Sequence, residues 1–204
     1  MADRTPSPRK LATREATRRA VLDLLREGDY NHLTYDRIAA ASGVAKTTLY
    51  RHWPTKAELV FDLVLHDRDL PSLAAAADVD GDVAALADRL VAFVGDPLAR
   101  PVFPGVLADV AADPRLLARF FDTFVLGAQP ELAPIFERIA KARGVSSAPS
   151  TVDLQAILVG STFAWMHLGG LEPADAHPRL VQLINTLFPA APTPPPPDPP
   201  SSKE

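Results

Sequence analysis

Cysteine is absent from the 204-residue chain, which removes a disulfide framework and thiolate metal ligands and fits a reducing compartment. No run of roughly 18 uncharged apolar residues occurs, and the opening MADRTPSPRK has no apolar stretch of the kind that forms a signal peptide. The expectation is a soluble, cytoplasmic protein with no membrane partner. Runs of β-branched residues are scarce, so no strand is compelling. Catalytic signatures are missing too: the five histidines, His32, His52, His66, His167 and His177, show no HExxH or other ligand spacing. Nor is there a GxSxG, a Walker loop or a dinucleotide glycine pattern. No enzyme, cofactor or metal is expected.

What the chain does have is an apolar fraction of 47%, ordinary for one or two small domains with a real core. Its charge is unevenly spread. The formal net charge of −4 argues, taken alone, against a polyanionic partner. Yet residues 1–56 hold eleven Lys and Arg against six Asp and Glu, while the remainder holds ten against nineteen. A basic first quarter on an acidic body suits a polyanion at one end and another task at the other. Solvated helix faces would give the same imbalance, so charge by itself leaves both readings open.

Ala, Leu, Arg, Glu and Asp dominate, and apolar residues recur every three or four positions, so the chain reads as all-α. A first helix over about 9–27 presents Ala16, Ala20 and Leu24 with Val21 and Leu25 beside them, and Gly28 suits its stop. Thr34 would cap a second helix, 35–41, with Ile38 inward and Ser42-Gly43 as its break. A third, 45–53, has two faces: Ala45, Leu49 and Trp53 share one arc, whereas Thr47, Tyr50 and Arg51, flanked by Lys46 and Thr48, occupy the other. Pro54 ends it, and Thr55-Lys56-Ala57-Glu58 has the capping-box spacing of a fourth helix running to roughly Asp67. Glu58, Asp62 and His66 share one face of that helix, read as solvated and charged rather than as a metal site. Further helices are expected over about 82–94, 98–112, 114–143, 151–168 and 174–188. Pro130 and Pro134 lack an amide donor, which predicts a kink or break near 127–130. The closing PAAPTPPPPDPPSSKE, residues 189–204, reads as a disordered tail, partly polyproline II.

Two short helices joined by a Gly-containing turn, the second with a polar and basic face, are the ingredients of a helix-turn-helix. Lys and Arg satisfy phosphates or guanine edges, Thr hydroxyls reach phosphates while their methyls touch thymine, and Tyr50 adds a ring and a donor. Ala39, Ala40, Ala41 and Gly43 let the helices approach. An ordinary helical hairpin with a solvated outer face has the same periodicity. The run IAAASGVAKTTLYRHWPTKAEL, with a helix before it, resembles the DNA-binding domain of the TetR family of bacterial transcriptional regulators. The resemblance spans about 11–66: a Gly-Val turn, a helix ending in Leu-Tyr, a basic or His residue, an aromatic, then a Lys-containing helix start. Trp53 departs from the pattern, since phenylalanine is commoner there.

The resemblance implies a division into a flexible arm (1–8), a three-helix DNA-binding domain (9–54), a connecting helix four (55–70), a ligand-binding and dimerisation domain (71–188) and the tail (189–204). It implies that Lys46, Thr47, Thr48, Tyr50 and Arg51 face the major groove and its flanking phosphates. His52 and Lys56 would sit on backbone phosphates, with Thr34 and Tyr35 adding phosphate contacts. Arg4, Arg9 and Lys10 could form an arm on DNA, although a solvated terminus is the preferred reading. Partners implied are double-stranded DNA with an inverted repeat, a small-molecule effector, and a second copy joined through about 151–168 and 174–188. Those segments carry Leu154, Ile157, Leu158, Ser161, Phe163, Ala164 and Trp165 with Leu180, Val181, Leu183, Ile184 and Leu187, a surplus that could equally pack the monomer's own core.

An effector pocket would draw on Phe93, Phe103, Leu107, Phe120, Phe121, Phe124, Phe136, Trp165 and Met166, with His167 and Gln155 as the few orienting polar groups. Aromatic residues at helical spacing also make plain core. The function read from the sequence is a dimeric regulator, a repressor released from a palindromic operator by a largely hydrophobic effector. The alternative is a small-molecule-binding or scaffolding helical protein with incidental DNA binding. The intact Lys46, Thr47, Thr48, Arg51 and Lys56 favour the first.

Overall fold

Short polar side chains cap the starts of five of the ten helices among the described residues. In the computed structural model, which describes residues 8–66, 68 and 70–189, the described residues are all helix, turn and loop. The helix α1 spans Pro8–Glu27 and α2 spans Tyr35–Ser42, capped by Thr34, whose hydroxyl oxygen accepts the Arg37 amide at 3.3 Å. Gly43, at φ 69°, occupies the left-handed conformation that ends α2 and that a Cβ would disfavour. The helix α3 spans Lys46–His52, and α4 spans Lys56–Val60 with a π-helical continuation, Phe61–His66. Thr55 and Glu58 close the capping box that starts α4.

In the second half, α5 is Val79–Gly95 and α6 is Phe103–Ala112. Then come α7, Pro114–Phe120 with a π-helical continuation Phe121–Leu126, and α8, Gln129–Arg143. The last two are α9, Thr151–Phe163 with a π-helical continuation Ala164–Leu168, and α10, Pro173–Leu187.

Two boundaries and the place of one proline differ from the sequence expectation, each for a local reason. Asp78 accepts the Gly81 amide at 2.8 Å and starts α5 three residues early. Asp96 accepts the amides of Leu98 and Ala99 at 2.7 and 3.0 Å, curling into turns a stretch expected to be helix until α6 begins at Phe103. The expected helix over 114–143 breaks before Pro130, as anticipated, but Pro134 sits inside α8 without ending it. Pro130 falls in the first turn, where no donor is needed, and both prolines are exposed, so water can take the carbonyl that Pro134 leaves unpaired.

The inward stripe of α1 is also rotated. Thr17, Val21 and Leu25 are buried with Ala20, whereas Ala16 and Leu24 are only half-buried. The Thr17 hydroxyl donates to the Thr13 carbonyl at 2.8 Å, which lets its methyl face the core. Two large hydrophobic bodies result, with a small third around Val94, Met166 and Ala176. The first joins Val21, Ile38, Leu49 and Trp53 to α4, and also takes in Phe103, Val106 and Val110 of α6 and Leu116 of α7. In the second, α5 packs on α8, α9 and α10 around Leu86, Leu90, Ile135, Ile139, Leu158, Leu180 and Ile184. Between Ala57 and Leu65 the stretch through α4 buries every residue except the half-buried Glu58 and Asp62, so it is the wedge between α1–α3 and the body. Arg4 and the tail from residue 190 onward lie outside the described residues.

Candidate nucleic-acid interface and adjoining cavity

The helix α3 is anchored by one face and free on the other. Leu49 is fully buried and Trp53 nearly so, while Lys46, Thr47, Tyr50, Arg51 and His52 are exposed and Thr48 is half-buried. Thr47 and Arg51 make no side-chain hydrogen bond or ion pair among the described residues. A guanidinium and a hydroxyl one turn apart on a braced helix are therefore available to an external acceptor. Lys46 reaches Asp36 of α2 at 2.7 Å, an exposed pair that a phosphate could replace.

Tyr50, 45% exposed, stacks on Tyr35 with ring centroids 4.0 Å apart. The Tyr35 hydroxyl donates to the Trp53 carbonyl at 2.5 Å, so this ring pair sets the angle between α2 and α3. Burial, and then the neighbouring Tyr50 and Glu58, push the Tyr35 phenol well above its ordinary value, keeping it a neutral donor. Thr34 is exposed, with its hydroxyl oxygen engaged in the cap. Lys56 is half-buried; its ammonium donates to the Tyr30 carbonyl at 3.1 Å and lies 3.8 Å over the Tyr30 ring. Arg9 and Lys10 are exposed in the first turn of α1, and Lys10 shares a groove with His52 and Trp53.

Two links, one through α4 and one through Tyr30, tie this end to the body. Asp62 of α4 accepts Trp53 Nε1 at 2.8 Å and pairs with Arg14. Glu58 reaches Arg119 of α7 at 3.2 Å. The face shared by Glu58, Asp62 and His66 is thus not the solvated one expected, because it packs against α1 and α7; of the three only His66 is exposed. Tyr30 supplies the second link: its hydroxyl donates to Asp109 of α6 at 2.5 Å, and its ring lies so close to Gly105 that a Cβ there would fall 2.3 Å from Tyr30 Cδ1.

Between α5, α6, α7 and α9 lies a cavity of about 350 Å³. Phe93, Phe103, Leu107, Phe120, Phe121 and Phe124 line it together with Val152, Gln155, Ala156, Val159 and Phe163 of α9. A smaller cavity of about 230 Å³, which includes His66, Arg68, Arg89 and Glu131, shares Phe93, Phe124, Gln155 and Val159 with it. Two of the π-helical segments, Phe61–His66 and Phe121–Leu126, contribute to these walls.

The remaining candidate lining residues lie elsewhere. Phe136 stacks near Phe188 in the body's core, Trp165 packs against that core, and Met166 is buried with Val94 and Ala176. His167 backs the wall, stacked on Phe163 at 4.3 Å with Nε2 3.3 Å from the Val94 carbonyl; burial lowers its pKa, favouring the neutral ring. Gln155 donates to the Phe124 carbonyl at 2.7 Å and accepts from Gln129 at 2.7 Å.

Comparison with known proteins closes the question of family. The model of bacterial regulatory proteins of the tetR family matches residues 19–63, and that of the tetracyclin repressor-like C-terminal domain matches residues 74–184. The chain belongs to the TetR family. An uncharacterized HTH-type transcriptional regulator of Mycobacterium tuberculosis is 30% identical over 162 residues, 78% of this chain and 79% of that protein, and a regulator of Mycobacterium bovis is equally similar. The HTH-type transcriptional repressor LfrR of Mycolicibacterium smegmatis is 35% identical over 111 residues, 52% of this chain and 59% of that protein.

This TetR-family chain is accordingly a helix-turn-helix transcriptional regulator and not an enzyme. Among its described residues no helix is long and apolar enough to cross a membrane. Two features escaped the sequence reading. Val152, Ala156, Val159 and Phe163 recur at i, i+4, i+7 and i+11 along α9 and face the cavity, a period visible in the sequence but assigned there, through Phe163, to dimer contact. Arg68 on the cavity rim carried no motif at all.

Proposed function

We propose that this TetR-family regulator is a homodimeric repressor that releases a palindromic operator when a small, largely hydrophobic effector enters the phenylalanine-walled cavity. The observation that carries the reading is the pairing of exposed Thr47 and Arg51, unpartnered among the described residues, with a buried Leu49 on the same short helix and a buried Trp53 at its end. Such a helix is stiff where it packs and free where it reads. In this reading Arg51 and Thr47 meet base edges, Lys46, Thr48 and Tyr50 meet edges or flanking phosphates, and His52, Thr34 and Tyr35 hold the backbone. Lys56 would exchange the Tyr30 carbonyl for a phosphate.

Communication between cavity and helix has a short physical route. Phe61 of α4 lies 4.6 Å from the Phe124 ring and 5.3 Å from the Phe120 ring, both cavity walls. The next residue, Asp62, holds Trp53 at the end of α3. An effector that displaces Phe120 or Phe124 therefore acts one residue from the hydrogen bond that seats the reading helix, and it shifts the population only as far as it binds the two arrangements unequally.

For the dimer, the α9 surface offers Ile157 at 37% and Leu168 at 80% exposure, with Ser161, Ala164 and Leu183 half-buried nearby. Leu154, Leu158, Leu180 and Ile184 are spent on the chain's own core. The sense of regulation rests on the relative named a repressor. The test combines light scattering with DNA titration. A dimer whose affinity for an inverted repeat falls steeply with salt supports the reading, through counterion release. Failure to bind any duplex at low salt overturns it.

A further inference from the structure

Arg68 is a buried cation whose hydrogen bonding is incomplete. Its side chain is only 7% exposed. Nε donates to the Leu65 carbonyl at 3.1 Å and Nη1 to the Phe93 carbonyl at 2.8 Å, while the buried Nη2 has no hydrogen-bond partner among the described residues. Among the described residues the nearest carboxylate, that of Asp96, is 3.8 Å from Nη1, too far for a hydrogen bond. The guanidinium lies 4.8 Å from the Phe93 ring centre and 5.9 Å from that of Phe103, both walls of the large cavity, and Arg68 itself lines the smaller one.

Burial, only partly offset by Asp96, lowers its pKa, which is the sign of a costly charge. A clamp that only pinned α4 to α5 would be complete with its two carbonyl bonds and would gain nothing from a buried, unmet donor. Of the other polar groups at this rim, Arg89 is committed to Glu131 and to the Pro71 carbonyl, and Gln155 to Phe124 and Gln129.

We propose that the effector carries a single carboxylate, which takes the free donor of Arg68 while its apolar body lies among the phenylalanines of the adjoining cavity. This rests on the reading of that cavity as the effector site. A guanidinium is the side chain best matched to a carboxylate in a site that excludes water. One negative charge fits better than two, because Glu131 lines the same rim and Asp96 stands beside Arg68.

The probes are decanoate, decanol and decylammonium, matched in chain length and differing in charge, titrated calorimetrically into the full-length protein at pH 8 below micellar concentrations. Decanoate is expected to bind at least tenfold tighter than decanol, with decylammonium weakest. Arg68→Met should bring decanoate to the level of decanol and leave decanol within twofold. Equal binding of decanoate and decanol to the unaltered protein overturns the carboxylate proposal while leaving the cavity reading in place. Failure of both to bind overturns the cavity reading and the proposal with it. A preference for decanoate that survives Arg68→Met also overturns the assignment to Arg68. If that variant does not fold, the comparison on the unaltered protein still decides.

Discussion

Replacing Trp53 with phenylalanine isolates the joint between the reading helix and α4. Trp53 is buried, and its Nε1 donates to Asp62 at 2.8 Å. Burial alone would raise the Asp62 carboxyl; hydrogen bonds from Arg14 and Trp53, with Arg119 nearby, outweigh it and hold the group below the usual carboxylate range. A hydrogen bond to a charged group contributes about 1.5–3 kcal/mol, and the ring atoms removed with the pyrrole cost roughly 1 kcal/mol of packing. Trp53→Phe should therefore destabilise the fold by about 2–4 kcal/mol at neutral pH.

The loss should depend on pH. A depressed carboxyl contributes stability above its unfolded value of about 3.9 and loses it as pH falls through the lower folded value. Removing one donor raises the folded value toward the unfolded one. The gap between variant and parent should then shrink below about pH 4 toward the packing part alone. Urea midpoints followed by far-ultraviolet circular dichroism at several pH values measure this. A loss under about 1 kcal/mol at pH 7, or one that stays constant into acid, would refute the reasoning. Phenylalanine suits the TetR pattern at this position, so the variant should still fold and bind DNA.

Other perturbations read separate parts of the molecule. Arg51→Ala should cost about 1–3 kcal/mol on the preferred sequence and relax the preference at one base pair per half-site, read by competition titration; a loss equal on all sequences would make Arg51 a phosphate contact. Lys56→Ala should weaken every duplex alike and also lower stability by about 1 kcal/mol, because the ammonium caps Tyr30. Gly105→Ala should cost about 1–3 kcal/mol in a denaturant titration, since the added methyl meets the buried Tyr30 ring. Asp82 accepts Arg138 at 2.9 and 3.0 Å and the Ala76 amide at 3.1 Å, so Asp82→Ala should cost about 2–3 kcal/mol. An unchanged midpoint would show that this pairing contributes nothing net.

The DNA-facing end was legible in the sequence because its signals are local. Thr34, Gly43 and Thr55 act through the backbone within four residues, and Leu49 and Trp53 declare the inward face of α3 by spacing alone. Trp53 also shows the limit of such reading: it looked like a larger ring in an ordinary core slot, and its reason, the Asp62 acceptor, is visible only when α4 is folded back. The cavity was half legible. Five of the phenylalanines named for it do line it, but Phe136, Trp165 and Met166 point into other cores, because helical spacing marks an apolar face without saying which neighbour covers it. Arg68 was invisible. An arginine in a loop after a helix reads as solvated until α5 and α6 bring the rings of Phe93 and Phe103 beside it.

The account's central claim, that α3 reads DNA from a symmetric pair, is tested most directly by selecting bound duplexes from a random pool with the full-length protein. The account predicts enrichment of an inverted repeat whose half-sites lie about one helical turn, 34–36 Å, or a multiple of it apart, with Arg51→Ala erasing the preference at one position in each half. Enrichment of no sequence, or of a single unrepeated site unaffected by Arg51→Ala, would contradict it.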